Sequence, residues 1–245
     1  LKLIGRRHNF LQAQKAFADA RKAGFDNISV DLMYGLPSQT KSDWAETLSK
    51  IVEMHPEHIS CYGLKLEPGT RMYKEYYGSS ILPDDDAQAD MYSYAAEMLE
   101  RYGYKQYEIS NFAAPGYESR HNLKYWNMDD YMSFGPGAHS CIGNVRYSFV
   151  KDLKQYIYGV HKKISIVDEY EQIDPLERAV EYVMLGMRTS RGISEHDYRL
   201  PVRLEADPQG ASSLQGKGLG RADGGSLALH RTGIPHFKHA YRHHA

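Results

Sequence analysis

Ile28-Ser29-Val30-Asp31-Leu32-Met33-Tyr34-Gly35-Leu36-Pro37 is the stretch on which the fold turns. Ile28, Val30, Leu32 and Tyr34 alternate with Ser29, Asp31 and Met33, which is the period of a β-strand. Gly35 and Pro37 turn the chain after it. Upstream, Phe10, Ala13, Phe17 and Ala20 recur at helical spacing and Gly24 supplies a stop, which predicts a helix over 11–23. Downstream, Thr40 and Asp43 form a capping box for a helix with Trp44, Leu48, Ile51 and Val52 on one face. Pro56 ends that helix.

The same alternation continues outward. Residues 58–66 are expected to form a second strand, turned by Pro68-Gly69. Asp84 is expected to cap a helix whose stripe is Met91, Ala95, Met98, Leu99 and Tyr102, and Gly103 to end it. A strand over 106–112 follows. Helices of a dozen residues between short strands predict an α/β fold with a parallel sheet under helices. Beyond residue 112 the pattern loosens, and helices return near 151–158 and 175–188.

Composition limits the function classes. The 245 residues are 42% hydrophobic and 25% charged, with a net charge of −1. That is the balance of a globular domain, with no basic footprint for nucleic acid. No run reaches the length of a transmembrane segment. A cytoplasmic location is expected. Two cysteines, Cys61 and Cys141, make neither a disulfide framework nor a cysteine-only metal site. The balance is uneven along the chain. Residues 1–200 carry 24 basic and 28 acidic groups, residues 201–245 six and three. The last 45 residues also hold seven of the 21 glycines and five of the 12 histidines. Residues 199–245 are therefore expected to lack structure.

Several residues invite chemistry. Asp31 interrupts an apolar strand, and a carboxylate there costs free energy unless it is bonded. It accepts hydrogen bonds from a ribose or an amine, or else pairs with an arginine or caps a turn. Arg6, with Arg7 and His8, either holds a carboxylate bidentately or belongs to a solvated basic cluster. Gly135-Pro136-Gly137-Ala138-His139 lets backbone approach a planar ligand, or is a tight turn. His121, within His121-Asn122-Leu123-Lys124-Tyr125-Trp126, binds a flat cofactor or packs among aromatics. Tyr107-Glu108-Ile109-Ser110-Asn111-Phe112 places Glu108 and Ser110 on one face, with Glu108 otherwise an ion-pair partner. Nucleophile-elbow, HExxH and dinucleotide GxGxxG patterns are absent.

Five ordered segments together resemble a known family. Leu3-Ile4-Gly5-Arg6-Arg7-His8 and Val30–Pro37 resemble the radical S-adenosylmethionine (SAM) proteins related to oxygen-independent coproporphyrinogen III oxidase. The 107–112, 121–126 and 135–140 segments are more similar to the HemW branch, the heme chaperones. The resemblance covers about residues 1–198. It implies the later part of a partial (β/α)6 radical SAM barrel plus an α/β C-terminal extension. The implied division is barrel over 1–112, family-specific extension and helices over 113–198, and an aberrant tail over 199–245.

The resemblance also implies cofactors and roles. Arg6 matches the arginine that contacts SAM, Asp31 the aspartate near it, and His139 a position lining the adenine. Members hold a 4Fe-4S cluster through CxxxCxxC, reduce SAM to an adenosyl radical in the radical enzymes, and handle heme or a porphyrin. Heme-accepting proteins are the implied partners. CxxxCxxC and the GGTP-like strand end are not in this sequence, so no metal ligand is assigned. An N-terminally truncated fragment, inactive as a radical enzyme, is expected. Residues 200–245 do not resemble the family's C-terminal domain, which suggests a frameshift near Arg199, testable on the coding DNA. The expected function is heme and SAM binding in porphyrin metabolism. The alternatives are oxidative decarboxylation of coproporphyrinogen III, or a cluster-free barrel enzyme using Asp31 or Glu108 as a base.

Overall fold

The computed structural model describes residues 1–194 and, as backbone, the short strands Gly220–Asp223 and Ser226–Leu229. The described residues divide at Ser119/Arg120 into two compact units.

The first unit opens on a 3-10 turn, Lys2–Ile4, and then α1, Phe10–Lys22. Asn9 and Gln12 cap α1 reciprocally, each side chain bonding the other's backbone N–H. β1, Ser29–Tyr34, leads to α2, Lys41–Val52, which starts on the Thr40–Asp43 capping box and buries Trp44, Leu48, Ile51 and Val52. β2, His58–Gly63, is shorter than the 58–66 expectation. A short helix that the sequence reading omitted, α3, Arg71–Tyr76, follows behind a Thr70 cap. α4, Asp85–Arg101, is capped by Asp84 and buries Met91, Tyr92, Ala95, Ala96, Met98 and Leu99. Tyr102 stands outside that stripe and is exposed, because it is the C-cap and the chain turns away there.

The expected strand over 106–112 is instead a hairpin, β3, Lys105–Gln106, and β4, Asn111–Ala113. Its turn is closed by the Tyr107 N–H to Asn111 carbonyl bond of 3.2 Å. The Glu108 carboxylate accepts the Ser110 N–H at 2.9 Å inside it. The sheet order is β1-β2-β4-β3. β1 and β2 are parallel, as the crossover through α2 requires. β4 runs antiparallel to both β2 and β3, so the sheet is mixed, not all parallel.

One face of this sheet is apolar. Val30, Leu32 and Tyr34 of β1 share it with Ile59 and Cys61 of β2 and Phe112 of β4. α4 packs on β1 and β2, and α2 on α4. The Trp44 ring sits 5.6 Å from Tyr34, and its indole N–H donates to the Met91 carbonyl at 2.9 Å. A buried tryptophan thus keeps its one donor satisfied.

The second unit begins with α5, Arg120–Trp126. β5, His139–Ile142, β6, Val145–Phe149, and β7, Val167–Gln172, form an antiparallel sheet in chain order. α6, Leu153–Lys162, and α7, Pro175–Gly186, match the expected helices within a few residues. Asp174 caps α7 with Glu177 in a capping box and proline opens it. Gly159 is forced by space, since a Cβ there would meet Ile166 Cγ2 at 2.3 Å. β8, Ile193–Ser194, pairs with β10, Ser226–Leu229, which pairs with β9, Gly220–Asp223. Apart from those two strands, the stretch expected to lack structure, 199–245, lies outside the described residues. No helix among the described residues is long and apolar enough to cross a membrane.

Candidate functional site

The second face of the first sheet is polar, and register builds it. Asp31 of β1 pairs with Ser60 of β2, and Ser60 pairs with Asn111 of β4. One step along, Ser29 pairs with His58, and His58 with Ala113. Partners in register point to the same side of a sheet. One polar row, Asp31–Ser60–Asn111, therefore crosses three strands on the face opposite the helices, and a second, Ser29–His58, crosses two.

His58 is 5% exposed and bonded on both ring nitrogens. Nδ1 lies 2.8 Å from the Ser29 hydroxyl and Nε2 2.8 Å from the Tyr107 hydroxyl. The Tyr107 oxygen also accepts the Ser119 N–H at 3.3 Å. Each ring nitrogen faces a hydroxyl that can donate or accept, so a neutral imidazole is satisfied on both sides in either tautomer. Burial pushes its pKa below the ordinary value, and the Asp31 carboxylate partly opposes that push.

Asp31 is exposed and makes no ion pair among the described residues. The desolvation cost expected of it does not arise, because nothing covers the sheet at that point. A free carboxylate on a polar face can accept hydrogen bonds from a diol or an ammonium group. Asn111, in contrast, is 4% exposed, and its Oδ1 has no partner among the described residues.

Arg6 follows the first turn and is exposed, with no ion pair to Asp31. His139 opens β5, exposed, in the second unit. Before it, Gly135 and Gly137 take φ of 110° and 70°, which only glycine adopts cheaply. His121 lies on α5, with Nε2 3.1 Å from the Tyr125 hydroxyl. Glu108 is buried in the hairpin turn, bonding Ser110 through the backbone. A cleft of about 340 Å³ in the second unit is lined by Trp126, Arg178, Tyr182, Thr189 and Arg191, among others. Arg188 stacks over the Trp126 ring at 5.1 Å.

Sequence reasoning found Asp31 but missed His58, Ser60 and Asn111. A signal existed: His58 and Ser60 alternate with Ile59 and Cys61, as Ser29 and Asp31 do with Val30 and Leu32. The polar face fits a nucleoside-bearing cation such as SAM, because it offers an unpaired carboxylate and an unbonded amide. A 4Fe-4S cluster does not fit. Among the described residues no group of three or more histidine, cysteine or acidic side chains could hold a metal. Cys61 and Cys141 are buried, one in each unit.

No family model matches the chain. Among curated proteins it is 38% identical to the heme chaperone HemW of Bacillus subtilis over 223 residues, which is 89% of this chain and 59% of that protein. HemW of Lactococcus lactis is 35% identical over 194 residues, 79% of this chain and 51% of its own length. The mitochondrial radical S-adenosyl methionine domain-containing protein 1 of Danio rerio is 31% identical, over 82% of this chain and 47% of its own. The chain thus spans about half to three fifths of these relatives. Among solved structures, coproporphyrinogen III oxidase (HemN) from Escherichia coli, a radical SAM enzyme, matches with a TM-score of 0.78. It covers 97% of this chain and 59% of its own at 20% identity. That likeness identifies the fold as part of a radical SAM barrel with an α/β extension.

Proposed function

The chain belongs to the HemW/HemN-like radical SAM family, and from that membership we propose that it is the SAM- and heme-binding part of a HemW-like heme carrier. The observation that carries this reading is the 38% identity to a heme chaperone over 89% of the chain. The oxidase alternative rests on a 20% identical structure, which speaks for the fold alone.

In this reading Asp31 accepts hydrogen bonds from SAM on the polar sheet face. Arg6 forks the amino-acid carboxylate of SAM with two parallel N–H bonds. When a cluster reduces SAM, the molecule supplies an adenosyl radical. Among the described residues no group of side chains could hold such a cluster, and no radical step is assigned to them. His121 and His139 are exposed imidazoles and can ligate heme iron. Transfer to a heme-accepting protein and a cytoplasmic location belong to the same proposal.

Hemin titration tests it. The native chain is expected to give a Soret shift that saturates near one heme per chain. The urea-unfolded chain is expected to give none. A spectrum that never saturates, or is the same for folded and unfolded chain, overturns the carrier reading.

A further inference from the structure

Asn111 opens β4 and is 4% exposed, and its side-chain Oδ1 has no hydrogen-bond partner among the described residues. Its neighbours on the same face do not share that condition. Ser29 and Tyr107 bond His58, one on each ring nitrogen. A buried amide left unbonded bears the full cost of its desolvation, and folded proteins rarely keep one without a reason.

The register indicates the reason. Asn111, Ser60 and Asp31 occupy one row on three consecutive strands. Neighbouring strands lie about 4.8 Å apart, so the row is about 10 Å long, nearer the span of a nucleoside than of one ion or water. It opens to solvent at Asp31 and is buried at Ser60 and Asn111. Among the described residues no lysine or arginine pairs with Asp31 to close that end.

We infer that Asn111 is a ligand-binding residue whose side-chain amide hydrogen-bonds the polar edge of the nucleoside held at Asp31. The inference rests on the Asp31 reading above and adds the far end of the site. An amide presents an acceptor and two donors, so it matches an edge that itself both donates and accepts. The amino and ring-nitrogen edge of adenine is such an edge, as paired with asparagine elsewhere in nucleic-acid recognition.

Equilibrium dialysis of SAM against the full 245-residue chain, read beside the thermal midpoint, tests this. Asn111→Leu keeps the side chain's branching and heavy-atom count and removes the amide. It is expected to weaken SAM binding about tenfold or more, the equivalent of one lost hydrogen bond. The midpoint should stay or rise, because the variant removes a polar group that folding leaves unbonded. Unchanged affinity with a lowered midpoint makes the amide a structural, water-bonded group and overturns the inference. If Asn111→Leu does not fold, Asn111→Ser is measured in its place: weakened binding supports the inference, unchanged binding overturns it. Asp31→Ala separates the two readings. Binding lost in Asp31→Ala but kept in Asn111→Leu overturns the Asn111 inference alone. A wild-type chain that does not bind SAM overturns the Asp31 reading and this inference with it.

Discussion

His58 is held between two hydroxyls with no charged group bonded to it, and that fixes how it responds to acid. Burial keeps its folded pKa below the value of about 6.5 that it has in the unfolded chain. As pH falls through about 6.5, the unfolded chain takes up a proton that the folded chain still refuses. Stability from this residue is therefore complete above that pH and is lost below it. His58→Gln keeps neutral hydrogen bonding and removes the titration. Urea unfolding between about pH 8 and pH 5 should show a flatter pH dependence in the variant than in the wild type. Parallel curves would assign the acid sensitivity elsewhere. At this scale the sequence was partly legible. Asp31 announces itself as a lone carboxylate between Val30 and Leu32. Asn111 does not, because in the expected continuous strand over 106–112 it alternates with Glu108, Ser110 and Phe112, and only the hairpin brings it into register with Ser60.

Among the elements, α1 has little claim to its place by packing, since none of its residues is buried. It is tied down by charge. The Arg21 guanidinium donates to Glu57 Oε2 at 2.7 Å and to the His55 carbonyl at 2.8 Å. Glu57 also accepts the Ile28 N–H at 2.8 Å, joining α1, β1 and the start of β2. Burial raises the Glu57 pKa, but these bonds outweigh it and hold the carboxylate below its ordinary range. Glu57→Ala should cost about 1.5–3 kcal/mol, the range for hydrogen bonds to a charged group. Amide exchange should quicken in α1 well before α4; equal quickening in both would refute this tether. α1, α2 and α4 were legible because their signals are local: the Thr40–Asp43 capping box, the Asp84 cap, and stripes three and four apart; the short α3 and α5 carry no such stripe. The β3–β4 hairpin was not, because its turn, Tyr107–Ser110, contains no glycine or proline. It is closed by the Glu108 carboxylate, a side-chain device with no dipeptide signature.

For the whole molecule, the cysteine arithmetic is a physical constraint. Cys61 lies in β2 of the first unit and Cys141 in β5 of the second, and both are buried. Iron–sulfur clusters are held by several converging thiolates. Anaerobic reconstitution of this chain with iron and sulfide should leave no thiolate–iron charge-transfer band after gel filtration. A band that survives, and is lost in Cys61→Ser or Cys141→Ser, would show otherwise. The order α1, β1, α2, β2, α4, and which side of β1 is apolar, follow from the sequence alone. Period and capping act between residues a few positions apart. Which strands are neighbours, that β4 runs antiparallel, and that Asp31, Ser60 and Asn111 share a row were decided only by the tertiary structure. Strand register is a hydrogen-bonding relation between segments far apart in the chain, and no local pattern encodes it.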